Sequence, residues 1–255
     1  MPPEATAVHL SLVIPAYNEA RRLPQTLDAW TAFLAGQAYV AEIVVADDGS
    51  RDETASVVRA YGERQASVRL VALPVNQGKG GAVKAGMLAA RGAYLFYVDA
   101  DLNISPAHVP RALRFLEQSA DVVAGQRELA EYAENERSVG RLAAGGLVQA
   151  ARRAIVLPTI RDTQCGFKGF RREVARRIFE RTLIRSFAFD IEVLFLARQL
   201  HAVIVPMPVA TEYRAESTYV LRKHLGPMLR DIARIRLNHL RGRYGRLAPI
   251  HPPAR

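Results

Sequence analysis

The segment that decides the fold of this chain reads Tyr94-Leu-Phe-Tyr-Val-Asp-Ala-Asp-Leu-Asn103. A short apolar run, rich in aromatic residues, ends in two aspartates separated by one alanine. Such a run is typical of a buried strand, and open α/β sheets bind their ligands at the carboxyl ends of the strands. Because side chains alternate along an extended backbone, Asp99 and Asp101 can point to one side and Ala100 to the other.

The two aspartates have two interpretations. Carboxylates this close repel one another unless a cation or a proton joins them. Oxygen ligands suit Mg²⁺ or Mn²⁺, and such ions usually bind together with substrate phosphates. Alternatively, the aspartates serve a turn or a helix N-cap, because Ser105-Pro106 follows and is typical of a helix start.

Composition describes a globular protein with an anionic partner. The 255 residues are enough for one large α/β domain with an appendage, and 49% hydrophobic and 24% charged residues are ordinary values. The formal net charge of +10 favours a nucleotide, a phospholipid headgroup or a nucleic acid as partner. The single cysteine, Cys165, excludes an internal disulfide.

Apolar runs in this sequence are short. None approaches the roughly 20 residues that span a bilayer. The run at residues 10–14 is also too short for the core of a signal peptide. We therefore expect a cytoplasmic protein, or one that acts at the cytosolic face of a membrane.

Apolar runs of strand length alternate with helical periodicity through the first half. The predicted strands cover residues 10–15, 40–46, 68–73, 94–98 and 120–125, and the predicted helices begin near 18 and cover 51–64, 82–90 and 106–118. This alternation predicts right-handed βαβ crossovers, and therefore a Rossmann-like, mostly parallel sheet flanked by helices.

Polar residues follow each predicted strand, where a rigid scaffold can hold them in one site. They are Tyr17-Asn-Glu19, Asp47-Asp48, Lys79, Asp99 with Asp101, and Gln126-Arg127. Asp47 or Asp48 can accept hydrogen bonds from a base or a ribose, although an Asx turn explains Asp-Gly-Ser equally well. Lys79, at a helix N-terminus, can meet phosphates, although the glycines around it also fit a flexible turn.

Two common nucleotide-binding motifs are missing from the sequence. There is no Gly-x-x-x-x-Gly-Lys-Ser/Thr, and no Gly-x-Gly-x-x-Gly follows the first strand. The second absence argues against a dinucleotide-dependent oxidoreductase.

The second half is less regular. We predict a mobile loop over residues 128–137, a helix over 138–157, a strand over 163–170, an apolar helix over 188–200, short strands over 203–208 and 209–213, and a long basic helix over 218–243. The last helix is amphipathic and suits an anionic membrane surface, or it packs on the core with a solvated basic face.

Several ordered motifs resemble those of family 2 glycosyltransferases of GT-A fold. They are Pro15-Ala-Tyr-Asn-Glu-Ala20, Val45-Ala-Asp-Asp-Gly-Ser50 and Asp99-Ala-Asp101. Three more are similar to the dolichyl-phosphate glucosyltransferase branch, with dolichyl-phosphate mannose synthases as nearest relatives. These are Asn76-Gln-Gly-Lys-Gly-Gly-Ala82, Asp162-Thr-Gln-Cys-Gly-Phe-Lys168 and Phe189-Asp-Ile-Glu-Val-Leu194.

The resemblance implies an inverting transfer of a hexose from a nucleotide-sugar to a polyprenyl phosphate. We expect glucose and UDP-glucose, and a Mg²⁺ or Mn²⁺ ion. It places Asp99 and Asp101 on the metal and diphosphate. The residues that it implies for the donor are Pro15, Ala16, Tyr17, Glu19, Asp47, Asp48, Ala100 and Asn103.

The resemblance also implies residues for the acceptor side. Arg127 and Arg137 are candidates for binding the acceptor phosphate. The alternative is that both are surface arginines of a charged loop without a role in binding. Asp162 and Gln164 are placed in the sugar and acceptor pocket. Asp190 lies in an apolar helix, where a site role and a buried salt bridge are both open. The candidate catalytic set is therefore Asp101, Asp162, Asp190 and Arg127.

The resemblance covers residues 10–243 and predicts one catalytic domain over 1–217. Its nucleotide-sugar half covers about 8–125 and its acceptor half about 126–217, and a helical extension and tail follow over 218–255. One alternative keeps the fold and donor but uses a soluble acceptor, such as glycerate or a sugar, or a polysaccharide. A basic nucleic-acid-binding protein is the alternative of another class. Against it, the basic residues of this chain are not interleaved with aromatic residues that could stack on bases.

Overall fold

The computed structural model of the chain describes residues 7–127, 160, 162–211 and 221–251, apart from the side chains of 221–225. Seven strands occur there: β1 (Leu10–Ala16), β2 (Ala41–Asp47), β3 (Val68–Ala72), β4 (Tyr94–Val98), β5 (Val122–Arg127), β6 (Phe167–Arg171) and β7 (Ile204–Val209). The helices are α1 (Leu23–Ala35), α2 (Thr54–Arg64), α3 (Lys79–Ala89), α4 (Val109–Gln118), α5 (Arg172–Phe179), α6 (Phe189–Gln199) and α7 (Leu221–Leu240).

All seven strands form one sheet in the order β3-β2-β1-β4-β6-β5-β7. Only β6 runs antiparallel, against both β4 and β5, and the remaining neighbours are parallel. The predicted α/β class with a mostly parallel sheet is thus confirmed. Strand β4 lies at the centre, between β1 and the antiparallel β6.

Alternating side chains of the strands build a core on each face of the sheet. One face carries Val13, Val44 and Tyr97 and is covered by α3, α5, α6 and α7. The other carries Leu12, Phe96 and residues of α1, α2 and α4. Both faces being apolar explains why these strands read as continuous apolar runs rather than alternating ones.

Several helices begin at residues other than those predicted, such as α2 at Thr54 and α4 at Val109. For α1 and α3 the reason is identifiable. Helix α1 begins at Leu23 rather than near residue 18, because Asn18 has a left-handed backbone with φ of +55°. Helix α3 begins at Lys79, three residues early, and includes the glycines that suggested a loop. A Cβ on Gly80 would lie 2.6 Å from the carbonyl of Ile184, so this glycine serves close packing.

Strands also differ from the predictions. Strand β6 covers Phe167–Arg171 rather than residues 163–170. Strand β5 continues through Arg127 because it pairs with β7 as far as Val209. The two short strands expected over 203–213 are one strand, β7, after which Thr211 makes an isolated bridge to Ile104. The loop predicted at 128–137 and the helix predicted at 138–157 lie outside the described residues.

The C-terminal helix α7 packs one face on the core. Met228, Ile232 and Ile235 are buried there, and Arg230, Arg234 and Arg236 are exposed. Residues 218–220 of the predicted helix lie outside the described residues, and α7 ends at Leu240. No helix in the described part of the chain is long and apolar enough to cross a membrane.

Candidate functional site

The site forms where β2, β1 and β4 end side by side. Their register places the segment after Ala16, the Asp47-Asp48 pair and the segment after Val98 along one edge of the sheet. Lys79 joins them as the first residue of α3. The geometry therefore brings together the polar groups that the sequence predicted at this edge.

The carboxylate of Asp99 is held by a half-buried lysine. Its Oδ1 lies 2.6 Å from Nζ of Lys79, and Lys79 Nζ lies 5.6 Å from the ring centroid of Phe187. Burial lowers the pKa of Lys79, but the negative charges of Asp99 and Asp190 outweigh it and raise that pKa. Lys79 is therefore a cation at neutral pH, placed against the first carboxylate of the pair.

A glycine makes room for Asp99 on the opposite side. The Asp99 amide donates to the carbonyl of Gly166 at 3.2 Å. A Cβ on Gly166 would lie 2.1 Å from Asp99 Oδ2, which no side chain can do without displacing the carboxylate. Gly166 is therefore a residue of the site that the sequence interpretation did not assign.

Asp101 interacts with Asn103 two residues later. Its carboxylate accepts from the Asn103 amide at 3.2 Å and from Asn103 Nδ2 at 2.5 Å. The intervening Leu102 has φ of +55°, a strained value for leucine. Burial, and then the charge of Asp99, raises the pKa of Asp101. The negative charges of Asp99 and Asp101 thus repel each other, and the positive charge of Lys79 offsets only part of that repulsion.

The oxygen atoms at this position suit a hard divalent cation. Besides the two carboxylates, Asn103 Oδ1 is buried and has no hydrogen-bond partner among the described residues. No group of three His, Cys, Asp or Glu side chains in that part of the chain could hold a metal by itself. Mg²⁺ and Mn²⁺ are compatible with so few protein carboxylates, because they keep waters and bind substrate phosphates.

Asp47 and Asp48 differ in what they bind. The Asp48 carboxylate accepts from the amides of Gln77 at 2.7 Å and Gly78 at 2.8 Å, and so orders the segment before α3. Asp47 accepts from the amide and the hydroxyl of Ser50, the local turn that was the alternative interpretation. The roles predicted for both in substrate binding stay predictions.

The segment after β1 is tied to the loop after β2. The Asn18 amide donates to Ser50 Oγ, and Asn18 Oδ1 accepts from the Arg51 amide, both at 2.9 Å. This leaves Tyr17 41% exposed at the edge. Burial raises the pKa of Glu19, Arg22 opposes the shift, and the charge of Asp101 adds to it.

The backbone beside these groups is fixed as well. Ala16 is buried, and its carbonyl accepts from the Asp48 amide at 2.8 Å. Pro15 is half-buried on β1. The Ala100 carbonyl accepts from the hydroxyl of Thr26 at 2.6 Å, which fixes the backbone between the two aspartates.

Arg127 and Asp162 form a bidentate pair. Nε of Arg127 lies 2.6 Å from Asp162 Oδ2, and its Nη2 lies 3.0 Å from Oδ1. Burial opposes ionisation of Asp162, but the hydrogen bonds and charge of Arg127 outweigh it and lower the pKa of the carboxyl. Asp162 Oδ1 also accepts from the Gln164 amide at 3.2 Å. The sequence assigned these residues separately and gave no sign that they pair.

Asp190 lies in the core. It is 2% exposed and lies 2.5 Å from Nζ of the fully buried Lys168, and it also accepts from the Tyr97 hydroxyl. The alternative of a buried salt bridge is thus observed, with a lysine rather than an arginine. Cys165 is fully buried, and burial raises the pKa of its thiol to about 12. Arg137 lies outside the described residues.

Comparison with known proteins identifies the family. The sequence pattern of Glycosyl transferase family 2 matches residues 11–179. The chain belongs to this family. The matched residues include β1 to β6 and most of the site described above, so the predicted enzyme class, a glycosyltransferase, is confirmed.

The relatives agree with the predicted branch. The chain is 37% identical to the dolichyl-phosphate beta-glucosyltransferase of Dictyostelium discoideum, over 92% of this chain and 76% of that protein. Identity is 32% to the human protein of the same name, over 91% and 76% of the two chains. Identity to the Drosophila melanogaster protein of the same name is 36%, over 77% of this chain and 65% of that protein. This chain therefore spans about two thirds to three quarters of the length of these relatives.

Solved structures agree with the predicted GT-A fold. Glucosyl-3-phosphoglycerate synthase from Mycobacterium tuberculosis, in complex with Mn²⁺, uridine diphosphate and phosphoglyceric acid, superposes with a TM-score of 0.66. The match covers 93% of this chain and 79% of that one. Identity is 23%, so the likeness concerns the fold.

The contact between Gly166 and Asp99 generates a prediction. In Gly166→Ala the methyl group must displace the end of the Asp99 side chain. Because only a flexible side chain has to move, the fold should persist while binding of UDP with Mn²⁺ weakens about tenfold or more. Isothermal titration measures it.

Gly36→Ala is the matched control, because a Cβ there makes an ordinary contact of 3.5 Å. It should bind UDP with Mn²⁺ as the unaltered protein does. Equal affinity in Gly166→Ala and Gly36→Ala would show that the position of Asp99 does not matter for binding.

Proposed function

We propose that this chain transfers glucose from UDP-glucose to a polyprenyl phosphate, with inversion at the anomeric carbon. The observation that carries the proposal is the convergence of Asp99, Asp101 and Lys79 at the carboxyl edge of a family 2 sheet. The names of the relatives support the glucosyl group and the lipid phosphate acceptor. The complex of glucosyl-3-phosphoglycerate synthase with UDP-glucose and Mn²⁺, which shares this fold, is compatible with the donor and the metal.

The proposed chemistry needs positive charge beside the leaving diphosphate, whose negative charge grows as it departs. Asp99 and Asp101, with Asn103 Oδ1 adjacent, would hold a divalent cation, which would supply Lewis acidity to the departing diphosphate. Lys79 contributes a second positive charge next to the diphosphate oxygens once its ammonium turns from Asp99 towards a phosphate. The acceptor oxygen is already ionised at neutral pH, so the chain needs no general base to activate it.

On the donor side, Asp47 is proposed to bind the nucleoside together with the exposed Tyr17 and with Glu19. Asp48 holds the segment before α3 and so fixes Lys79. Pro15, Ala16 and Ala100 shape the backbone along this edge. On the acceptor side, Arg127 is proposed to bind the lipid phosphate, with Asp162 holding its guanidinium and Gln164 beside it.

The direct test is an assay with two acceptors. UDP-[¹⁴C]glucose is incubated with Mn²⁺ and either polyprenyl phosphate or 3-phosphoglycerate. We expect glucolipid and no labelled phosphoglycerate product. Label only in the second acceptor would replace the proposal by the soluble-acceptor alternative.

Asp101→Asn tests the metal-binding role. The pKa of Asp101 is raised, so the folded state disfavours its charge, and a neutral amide should not lower the thermal midpoint. Turnover should fall about 100-fold or more, because charge stabilisation of the leaving group is lost. Asp28→Asn, at an exposed carboxylate of α1, should keep full activity. Full activity in Asp101→Asn would remove Asp101 from the mechanism.

Arg127→Met tests the acceptor side. Loss of a charge-assisted hydrogen bond is expected to raise the KM for polyprenyl phosphate about 10- to 100-fold. The KM for UDP-glucose should stay unchanged. Arg59→Met, at an exposed position on α2, is the control. Steady-state kinetics would contradict the role if only the donor KM rose.

Membrane contact is proposed through α7, placing the enzyme at the cytosolic face of a membrane. The exposed Arg230, Arg234 and Arg236 can bind anionic headgroups at about 1 kcal/mol each. Changing all three to Gln should lower partition onto phosphatidylserine vesicles roughly 100-fold. The matched triple change at the exposed Arg59, Arg64 and Arg114 should lower it far less. An equal loss in both would mean that α7 has no special part.

A further inference from the structure

Beneath the site lies a fully buried group of three polar side chains: Tyr97 on β4, Lys168 on β6 and Asp190 on α6. Tyr97 and Lys168 stand directly opposite one another in the strand register. Lys168 Nζ lies 2.5 Å from Asp190 Oδ1 and 5.4 Å from the centroid of the Tyr97 ring. We refer to these three residues as the buried triad.

Burying this group is costly, which calls for an explanation. Lys168 and Tyr97 have no exposed surface and Asp190 has 2%. Removing an ammonium and a carboxylate from water often costs more than their attraction returns, so an apolar set would serve stability as well. A stability role alone therefore does not account for these residues at this position.

The contacts of Lys168 lead to the site. Besides Asp190, its Nζ donates to the carbonyl of Cys165 at 2.8 Å. The next residue, Gly166, accepts from the Asp99 amide and lies against the Asp99 carboxylate. The ammonium thus fixes a peptide segment that limits where Asp99 can lie.

Tyr97 reaches the site from the other strand. It precedes Asp99 by two residues on the same chain, and its hydroxyl donates to Asp190. The Asp190 carboxylate therefore contacts both segments that meet at Asp99. It contacts β4 through the Tyr97 hydroxyl, and the Cys165-Gly166 segment through Lys168. The segment before β6 also carries Gln164 and Asp162, the residues proposed for the acceptor side.

We propose that the buried triad is a positioning device: Asp190, through Lys168 and Tyr97, fixes the Cys165-Gly166 backbone and the end of β4, and so sets the position of Asp99 for the diphosphate and its cation. Asp190 acts through other residues and contacts no substrate, which replaces the catalytic role expected from the sequence. This inference rests on the proposed function.

A neutral double variant separates positioning from stability. In Lys168→Met alone, an unpaired carboxylate stays buried, and the thermal midpoint should fall on the order of 10 °C. Lys168→Met/Asp190→Asn leaves no unpaired charge, so most of that loss should be recovered. The Cys165 carbonyl still lacks its donor, however, and binding of UDP with Mn²⁺ should stay about tenfold or more weaker than in the unaltered protein.

Glu192→Gln is the matched control. Glu192 is a buried carboxylate on the same helix, but it bonds the amides of Leu183 and Ile184 and the hydroxyl of Tyr244. It should lose stability without losing affinity for UDP with Mn²⁺. Equal weakening in Glu192→Gln and in the double variant would mean general loosening and would overturn the inference.

Tyr97→Phe keeps the test decisive if the double variant does not fold. It removes one hydrogen bond, and affinity for UDP with Mn²⁺ should fall about threefold to tenfold, with faster amide exchange at residues 164–166. Unchanged affinity in a folded double variant or in Tyr97→Phe overturns the inference. If the unaltered protein binds UDP with Mn²⁺ but transfers no glucose, the proposed function fails and the positioning result still stands.

Discussion

The carboxylate of Asp99, held between the ammonium of Lys79 and the bare backbone of Gly166, is the constraint on which the site depends. It lies at the end of the central strand, where a parallel neighbour on one side and an antiparallel one on the other fix the backbone. Lys79 provides the positive charge that two adjacent carboxylates require in a partly buried position. In the proposed function, a divalent cation and the diphosphate would take the place of that ammonium beside Asp99.

The sequence predicted the sheet and the edge of the site because each rests on local signals. Apolar runs such as Tyr94–Val98 are buried on both faces, and carboxyl ends of parallel strands must meet. The order of motifs also indicated the family, which the match over residues 11–179 confirms. What the sequence could not provide was pairing between distant residues. Arg127 and Asp162 lie 35 residues apart, and nothing in their local patterns indicates that they meet.

The two acidic residues of α6 illustrate the same limit. Asp190 and Glu192 in an apolar helix signal buried carboxylates, but which cations or amides satisfy them depends on tertiary contacts. Asp190 pairs with Lys168 and accepts from the Tyr97 hydroxyl, whereas Glu192 accepts from two loop amides and from Tyr244. Lys168 itself is a better example, since a lysine in Gly-Phe-Lys-Gly-Phe would ordinarily be placed in solvent. It is buried instead, because it lies opposite Tyr97 on the sheet face that the helices α3, α5, α6 and α7 cover.

We propose that the edge formed by Asp99 and Asp101 binds a divalent cation together with the donor diphosphate. The most direct measurement is anomalous diffraction, at the manganese edge, from crystals grown with UDP and Mn²⁺. We expect one strong peak within ligand distance of Asp99, Asp101 and the diphosphate oxygens, with Lys79 Nζ moved from Asp99 to a phosphate. A manganese peak away from both aspartates, with Lys79 still paired to Asp99, would contradict it.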